Sequence, residues 1–443
     1  MNLSDKKYFY LILLHVVIGI LIYTVPLFPK VYGFSIIFGG IFYIVNSRNS
    51  NNEVLYATAY MVGSEIILRM TDGNPVHEFS KYGVMLFIAI GIYFRGSSKY
   101  AVPYWIFLLL LIPATIYTTT ELNYSISLRK EISFNVSGPV CLAICSIYNY
   151  NRKITSEELS NVFLCIGMPI ITCLSYLTLY TPSLKEVITD TNSNAMTSGG
   201  FGPNQVSTML GLGMFVFVSR LMLNSKNKWT FIMNLIISLY VTYRGLITFS
   251  RGGMITGFVM IATLIGVTFF FISQANRIRM LIMIGFVALI FSVAWSFSSE
   301  QTNGLIEKRY SNKDAAGREK EDELSGRGEL AEDEYQTFKE HPIIGIGVGR
   351  SMEQRYAKTG EIIASHSEIT RMISEHGSFG ILALIILFVT PLILYLDNKY
   401  NVYLLSCLLF WMLTINHAAM RLAAPAFMYS LALVKVIIKR DEA

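Results

Sequence analysis

The sequence predicts an all-α, polytopic integral membrane protein of about 12–14 transmembrane helices, with one long extramembranous loop that contains short helices. Hydrophobic residues make up 53% of the 443-residue chain and charged residues only 15%, a balance that a soluble chain of this length does not carry. Apolar runs recur as far as the C-terminal end, so a cleaved signal peptide does not account for them. Sustained polarity is confined to one stretch, from Ser298 to His376.

A span needs about 17–25 mostly apolar residues, fewer where it is partly buried in a bundle. Candidate spans run over 8–26, 31–46, 54–69, 80–95, 101–119, 135–149 and 161–180 in the first half, then 204–222, 229–243, 252–272, 278–297, 377–396, 401–415 and 420–437. Several of the short ones are also compatible with re-entrant segments. Basic residues punctuate alternate connections: Lys6 and Lys7, Arg48, Arg95 and Lys99, Arg152 and Lys153, Arg220, Lys226 and Lys228, Arg277 and Arg279, Lys399, and Lys435 with Lys439 and Arg440. With these connections in the cytoplasm, the inside segments hold 16 Lys and Arg and the short outside segments 9. Long loops are exempt from the positive-inside rule, so both termini are expected inside and the long loop outside. The chain therefore divides into N-terminal spans (1–297), an extracytoplasmic loop (298–376) and C-terminal spans (377–443). On this topology the net charge of +6 reflects orientation and contact with membrane lipids, and no nucleic-acid partner is expected. All five cysteines, Cys141, Cys145, Cys165, Cys173 and Cys407, fall in apolar segments, so no disulfide framework and no cysteine metal site is expected in the loop.

Polar residues at the outer ends of spans are the candidate site. Glu65 and Arg69 stand four apart near the end of the third span, a spacing that lets them pair. Gly199-Gly200-Phe201-Gly202-Pro203-Asn204-Gln205 breaks one run and starts the next helix abruptly, with its positive dipole end outward, a place for an anion near Asn204. Arg244 and Phe249-Ser250-Arg251-Gly252-Gly253 fall at the next outer boundary. An arginine near hydrocarbon calls for an anionic partner, its planar fork suits phosphate or carboxylate, and the glycine pair is expected to let a ligand approach closely.

In the long loop, Ser325-Gly326-Arg327 precedes a helix over 328–340 with Leu330, Ala331, Tyr335 and Phe338 on one side and acids on the other, an amphipathic helix ended by Pro342. Gly345, Gly347 and Gly349 are not a nucleotide fingerprint, because no βαβ unit and no Walker lysine accompanies them; a glycine turn that folds the loop back is expected instead. His366 shares a short stretch with Glu368 and Arg371, and neutral imidazole accepts a proton near pH 7. His376-Gly377 reads as a helix start, and His417 and Arg421 complete a polar rim. No His-x-x-His or Glu-x-x-His spacing is present, so no metal ligands and no cofactor are expected.

Gly-Phe-Gly-Pro-Asn-Gln (200–205), Phe-Ser-Arg-Gly-Gly (249–253), Ser-Gly-Arg (325–327), Phe338-x-x-x-Pro342-x-x-Gly345-x-Gly347 and His366-Ser367-Glu368 with Arg371 and Glu375-His376-Gly377 together resemble the O-antigen ligase and polymerase superfamily. The likeness covers most of the chain after about residue 195; Ser367 departs from the asparagine that often follows the histidine. The resemblance implies a GT-C-like glycosyltransferase of the bacterial inner membrane, with its active site on the periplasmic side. Its donor would be a glycan on undecaprenyl diphosphate, and its acceptor a lipid-linked saccharide, a lipid A-core saccharide or a protein hydroxyl. Arg251 and Arg327 match the family's essential arginines and His366 its essential histidine. The expected division of labour has Arg251 and Arg327, assisted by Arg244 or Arg421, on the diphosphate, His366 as general base and Glu368 orienting it. A flippase or secondary transporter would also be polytopic, but such proteins show matching halves, and no convincing internal repeat is present.

Overall fold

The computed structural model describes residues 3–121, 128–181, 183–320, 327–360, 365 and 367–437. It is a helical bundle in which every predicted span overlaps a helix, although in the last, 420–437, only Ala424–Leu431 is helical. The first half contains α1 (Leu3–Thr24), α2 (Phe28–Ser47), α3 (Glu53–Met70), α4 (Phe79–Arg95), α5 (Val102–Glu121), α6 (Leu128–Asn149) and α7 (Ser156–Tyr180). A short helix α8 (Leu184–Val187) and a 3-10 turn (Met196–Ser198) lead to α9 (Pro203–Leu223), α10 (Lys228–Leu246), α11 (Arg251–Phe271) and α12 (Gln274–Gln301). The insert carries α13 (Leu305–Tyr310), α14 (Arg327–Glu340) and α15 (Arg350–Thr359), and the chain finishes with α16 (Glu368–Leu396), α17 (Leu404–Ile415) and α18 (Ala424–Leu431).

Local chemistry sets several of the helix starts. At α7, Thr155 Oγ1 accepts from Glu158 N at 3.1 Å while Glu158 Oε2 accepts from Thr155 N at 2.7 Å, a reciprocal cap. At α10 the Asn227 side chain accepts from Trp229 N and Thr230 N, both at 3.0 Å. Pro203 stands at the first turn of α9, where its missing N–H removes nothing.

Among the described residues nine helices are long and apolar enough to cross a membrane: α1, α2, α5, α6, α7, α9, α11, α12 and α16. This is a multi-pass membrane protein. Fewer helices meet that standard than the predicted 12–14. Helix α4 has only 17 residues; α3 and α10 bury Glu65, Arg69, Asn234 and Arg244 inside the bundle, which lowers their hydropathy without exposing charge to lipid. The last two predicted spans hold the shortest of the span helices, of 12 and 8 residues, and between them the chain leaves the helix over residues 416–423, with Ala419 at φ +48°. A two-stranded parallel sheet also lies outside the all-α expectation: Lys153–Thr155 pairs with Lys435–Ile437, Ile154 opposite Val436. Sequence patterning gave these three-residue strands no signal, because each sits at the edge of an apolar run.

The core centres on α9, which packs against α7, α10 and α11. Glycine makes the α9–α11 contact close: a Cβ on Gly253 would lie 2.2 Å from Ser207 C, and one on Gly211 would lie 2.1 Å from Gly253 O. Cys141, Cys145, Cys173 and Cys407 are buried as free thiols in helix contacts. Helix α12 runs on to Gln301 and α16 begins at Glu368, so the insert between them is shorter at both ends than the predicted 298–376; the predicted end at 376 falls on a kink, where Gly377 adopts φ +58° inside α16.

Candidate active site

Two polar clusters are built on the starts of α9, α11 and α16. The first is built on the starts of α9 and α11. Ser250 Oγ donates to Asn204 Oδ1 at 2.8 Å and Ser207 Oγ donates to Ser250 Oγ at 2.9 Å, which fixes the two helix N-termini, and their positive dipole ends, beside each other. Arg251 opens α11 and donates to the carbonyl of Arg309 at 3.5 Å; Arg309 Nε in turn donates to Phe249 O at 2.9 Å. Phe249 is buried at φ +58°, a left-handed turn that aims its carbonyl at Arg309. Tyr310 lies next to both arginines, yet burial pushes its hydroxyl up to about 12, so it is a neutral donor here. Helix N-termini with two guanidinium groups make an anion-attracting corner.

The glycine pair beside Arg251 serves packing, which corrects the expectation that it admits a ligand. Gly253 faces the α9 backbone, and a Cβ on Gly252 would lie 2.7 Å from the His417 ring. Arg244, expected to assist Arg251, is instead buried against α7, where its Nη2 donates to Leu177 O at 2.9 Å. Among the described residues its Nε has no hydrogen-bond partner. The structure does not bring Arg244 to either cluster in the described contacts; the last two residues of α10 and the irregular residues 247–250 separate it from Arg251.

The second cluster surrounds a small cleft of about 30 Å³ lined by Arg355, Ser365, Glu368, Arg371, Glu375 and Arg421 among others. Arg371 is held on three sides. Its Nε and Nη2 donate to Glu368, Nη1 donates to Glu375 Oε2 at 2.6 Å, and Nη2 also donates to Asn135 O at 3.0 Å. Glu368 was expected to orient His366 and Arg371 to contact substrate; in the described contacts they neutralise each other, as a buried guanidinium and carboxylate do when no other partner is nearer. Glu334 on α14 is the carboxylate that reaches the chain next to His366: it accepts from Arg355 Nη1 at 2.9 Å, Ser365 Oγ at 3.3 Å and Thr370 Oγ1 at 2.5 Å.

Helix α14 turns inward part of the face predicted for it, with Leu330, Ala331 and Phe338 half-buried, but rotated toward Glu334 and Thr337. Glu334 and Thr337 are buried while Tyr335 is 49% exposed, because the helix packs on the polar start of α16. The glycine turn does fold the loop back. Ile346 N donates to Ser374 O and Gly347 N to Glu375 O, both at 3.1 Å, and Ser378 N donates to Pro342 O at 2.8 Å across the Gly377 kink. Gly345, Gly347 and Gly349 all have positive φ, and a Cβ on Gly345 would lie 2.4 Å from Glu375 C.

His366 lies outside the described residues, as does the side chain of Arg327, whose backbone opens α14. Their described neighbours are anchored. Arg421 Nη2 donates to Ser365 O at 3.1 Å, and Ser367 Oγ donates to Asn416 Oδ1 at 3.5 Å. His417, one residue on, lies against Gly252 and places Nε2 3.2 Å from Thr208 Oγ1. The eight residues 416–423 therefore join the Arg251 corner to both described neighbours of His366.

Residues 236–385 match the model of the O-antigen ligase family. This O-antigen ligase segment supports placing the chain with the O-antigen ligase and polymerase superfamily. With that assignment comes membrane glycosyl transfer of the O-antigen ligase and polymerase type, and a glycosyltransferase class for the enzyme. No curated protein and no solved structure matches the chain. The O-antigen ligase segment spans Arg244, Arg251, Arg327, His366, Glu368 and Arg371, whereas Asn204, His417 and Arg421 lie outside it and come to it through the fold. Sequence reasoning missed Glu334, Arg309 and Asn416 in these two clusters. Glu334 offered one sign, its three-residue spacing from Thr337 on a common helix face; the other two offered none.

Proposed function

We propose that the protein transfers a glycan from undecaprenyl diphosphate to an acceptor hydroxyl on the periplasmic side of the bacterial inner membrane, in surface polysaccharide assembly. The observation that carries this reading is the bridge at 416–423, which touches Gly252 beside Arg251 and hydrogen bonds to both Ser365 and Ser367. A corner suited to an anion and a histidine suited to proton transfer are thereby tied to one element.

In the proposed reaction the donor diphosphate lies at Arg251 and Arg327, near the N-termini of α9 and α11, with Arg421 at the edge. The acceptor oxygen forms a bond to the anomeric carbon as the bond from that carbon to the diphosphate oxygen breaks. The diphosphate leaves with the electron pair, its charge stabilised by the guanidinium groups. His366 takes the hydroxyl proton. Glu334, through Ser365 and Thr370, holds the chain on both sides of the histidine, the supporting part first given to Glu368. Because the diphosphate is already a good leaving group, the reaction needs neither a nucleotide nor a metal ion. The reading divides the chain at the α12 and α16 ends of the insert, with donor tail among the spans and glycan in the insert.

A lipid-linked saccharide as acceptor would make the protein a polymerase, a lipid A-core saccharide a ligase, and a Ser or Thr side chain a protein glycosyltransferase. The test is transfer by purified protein in detergent, with a lipid-diphosphate-linked oligosaccharide and the three acceptors offered separately, without nucleotide or metal. Product with one acceptor that is lost in His366→Ala and Arg327→Ala supports the reading. Absence of product with all three, alongside donor movement across liposomes, would sink it in favour of a transporter.

A further inference from the structure

The passage over 404–431 is broken short of a full crossing. Helix α17 has 12 residues, about 18 Å of rise against the roughly 30 Å of a bilayer core, and α18 has 8. Residues 416–423 are therefore irregular backbone inside the bundle, and buried N–H and C=O groups there must find protein partners. Two side chains of α3 supply them. Glu65 Oε2 accepts from Ala423 N at 2.7 Å, and Arg69 Nη2 donates to Arg421 O at 3.0 Å.

Glu65 and Arg69 also pair with each other at 3.0 Å, and both are buried. Behind them Glu78 lies 3.6 Å from Arg69 and 2.7 Å from Lys81, whose Nζ donates to Ser137 Oγ at 3.1 Å. Two acids and two bases close on themselves, so the group holds no net charge for a ligand to balance. Its outlet is the backbone of the break. The residue whose carbonyl it holds is Arg421, whose side chain reaches Ser365.

We propose that Glu65 and Arg69 are positioning residues for the transfer site: they set the backbone of 416–423, and through it the reach of Arg421 toward Ser365 and the seat of His417 on Gly252. This rests on the reading of the site as a lipid-diphosphate glycan transferase. It puts control of that site on a helix about 170 residues before the O-antigen ligase segment begins. An ion pair that only locks helices together would be indifferent to the Arg421 side chain.

The test uses full-length protein in detergent with undecaprenyl diphosphate as probe. Arg69→Lys keeps the positive charge and loses the fork that serves Glu65 and Arg421 O together. Its affinity for the probe is expected to fall by about tenfold or more with cooperative thermal unfolding retained. Added to Arg421→Ala, it should bring no further loss; added to Arg251→Ala, the two losses should multiply. Amide deuterium exchange over 416–423 should speed up, with 203–223 unchanged. If Arg69→Lys does not fold, Glu65→Leu, which removes the acceptor for Ala423 N, takes its place in the cycle beside Glu65→Gln, which retains an oxygen there and should lose less. Losses that multiply with Arg421→Ala, or unchanged exchange over 416–423, overturn the proposal. If the unaltered protein does not bind the probe, the transferase reading fails, and the exchange measurement alone decides the positioning.

Discussion

Arg421 donates from Nη2 to the carbonyl oxygen of Ser365 at 3.1 Å, a contact between residues 56 positions apart that fixes the chain one residue before His366. A hydrogen bond from a charged donor contributes about 1.5–3 kcal/mol. Arg421→Ala is therefore predicted to lower kcat/KM for glycan transfer by roughly 10- to 100-fold, with the protein still monodisperse on gel filtration. A loss smaller than about threefold would place Arg421 outside the working site.

Removal of the proposed base has a different signature. His366→Ala is predicted to reduce kcat by about 10²- to 10⁴-fold while donor affinity holds. The histidine must be neutral to accept a proton, so the rate should fall on the acid side, where the imidazole is protonated, and level off above it. A pH–rate profile without that acid limb in the unaltered protein would exclude His366 as the base.

Glu334 and Arg355 form a buried pair at 2.9 Å. Removal of one partner of a buried ion pair costs about 3–5 kcal/mol. Glu334→Leu should lower the melting temperature markedly. Glu334→Leu combined with Arg355→Met should recover most of it, yet leave transfer impaired, because Ser365 and Thr370 still lack their acceptor. Recovery of full activity in the double variant would reduce the role of Glu334 to neutralising Arg355.

The α9–α11 contact offers a prediction with its own control. Gly253→Ala places a methyl 2.2 Å from Ser207 C, backbone that cannot step aside, and should destabilise by about 1–3 kcal/mol. Gly266 lies on the same helix with nothing within 4 Å of its Cβ position. Gly266→Ala should be neutral or stabilising by up to about 1 kcal/mol. Thermal unfolding of the two variants side by side checks both, and equal effects would refute the close packing.

The hydrophobic rhythm of the chain was enough to locate every crossing element, because lipid imposes one constraint that composition satisfies directly. The pairing of Glu65 with Arg69 was equally legible, since four residues along a helix bring side chains together. What the rhythm could not convey is partnership between distant segments. The spacing of Glu368 and Glu375 about Arg371 follows the same helix rule, but nothing near Arg371 in sequence points to its third partner, the carbonyl of Asn135. Gly252 and Gly253 looked like room for a ligand, and only the arrival of α9 and His417 reveals what fills that room. The inward face of α14 was read only in part for the same reason: its partner, the start of α16, is polar, so Glu334 and Thr337 are buried beside the half-buried Leu330, Ala331 and Phe338 while Tyr335 is exposed.

The parallel pairing of Lys153–Thr155 with Lys435–Ile437 joins the entrance of α7 to the last described residues of the chain. Together with Glu65 holding Ala423, it means that two connections in the first half of the protein are completed only by segments synthesised near the end. Helices can enter the membrane one after another as the ribosome works, but their final arrangement must wait for the C-terminal hairpin. Assembly is therefore a late, concerted event with high contact order, and early helices remain dependent on quality control until it occurs. A truncation that removes residues after about 400 should be cleared by membrane proteases and not accumulate as a stable N-terminal bundle.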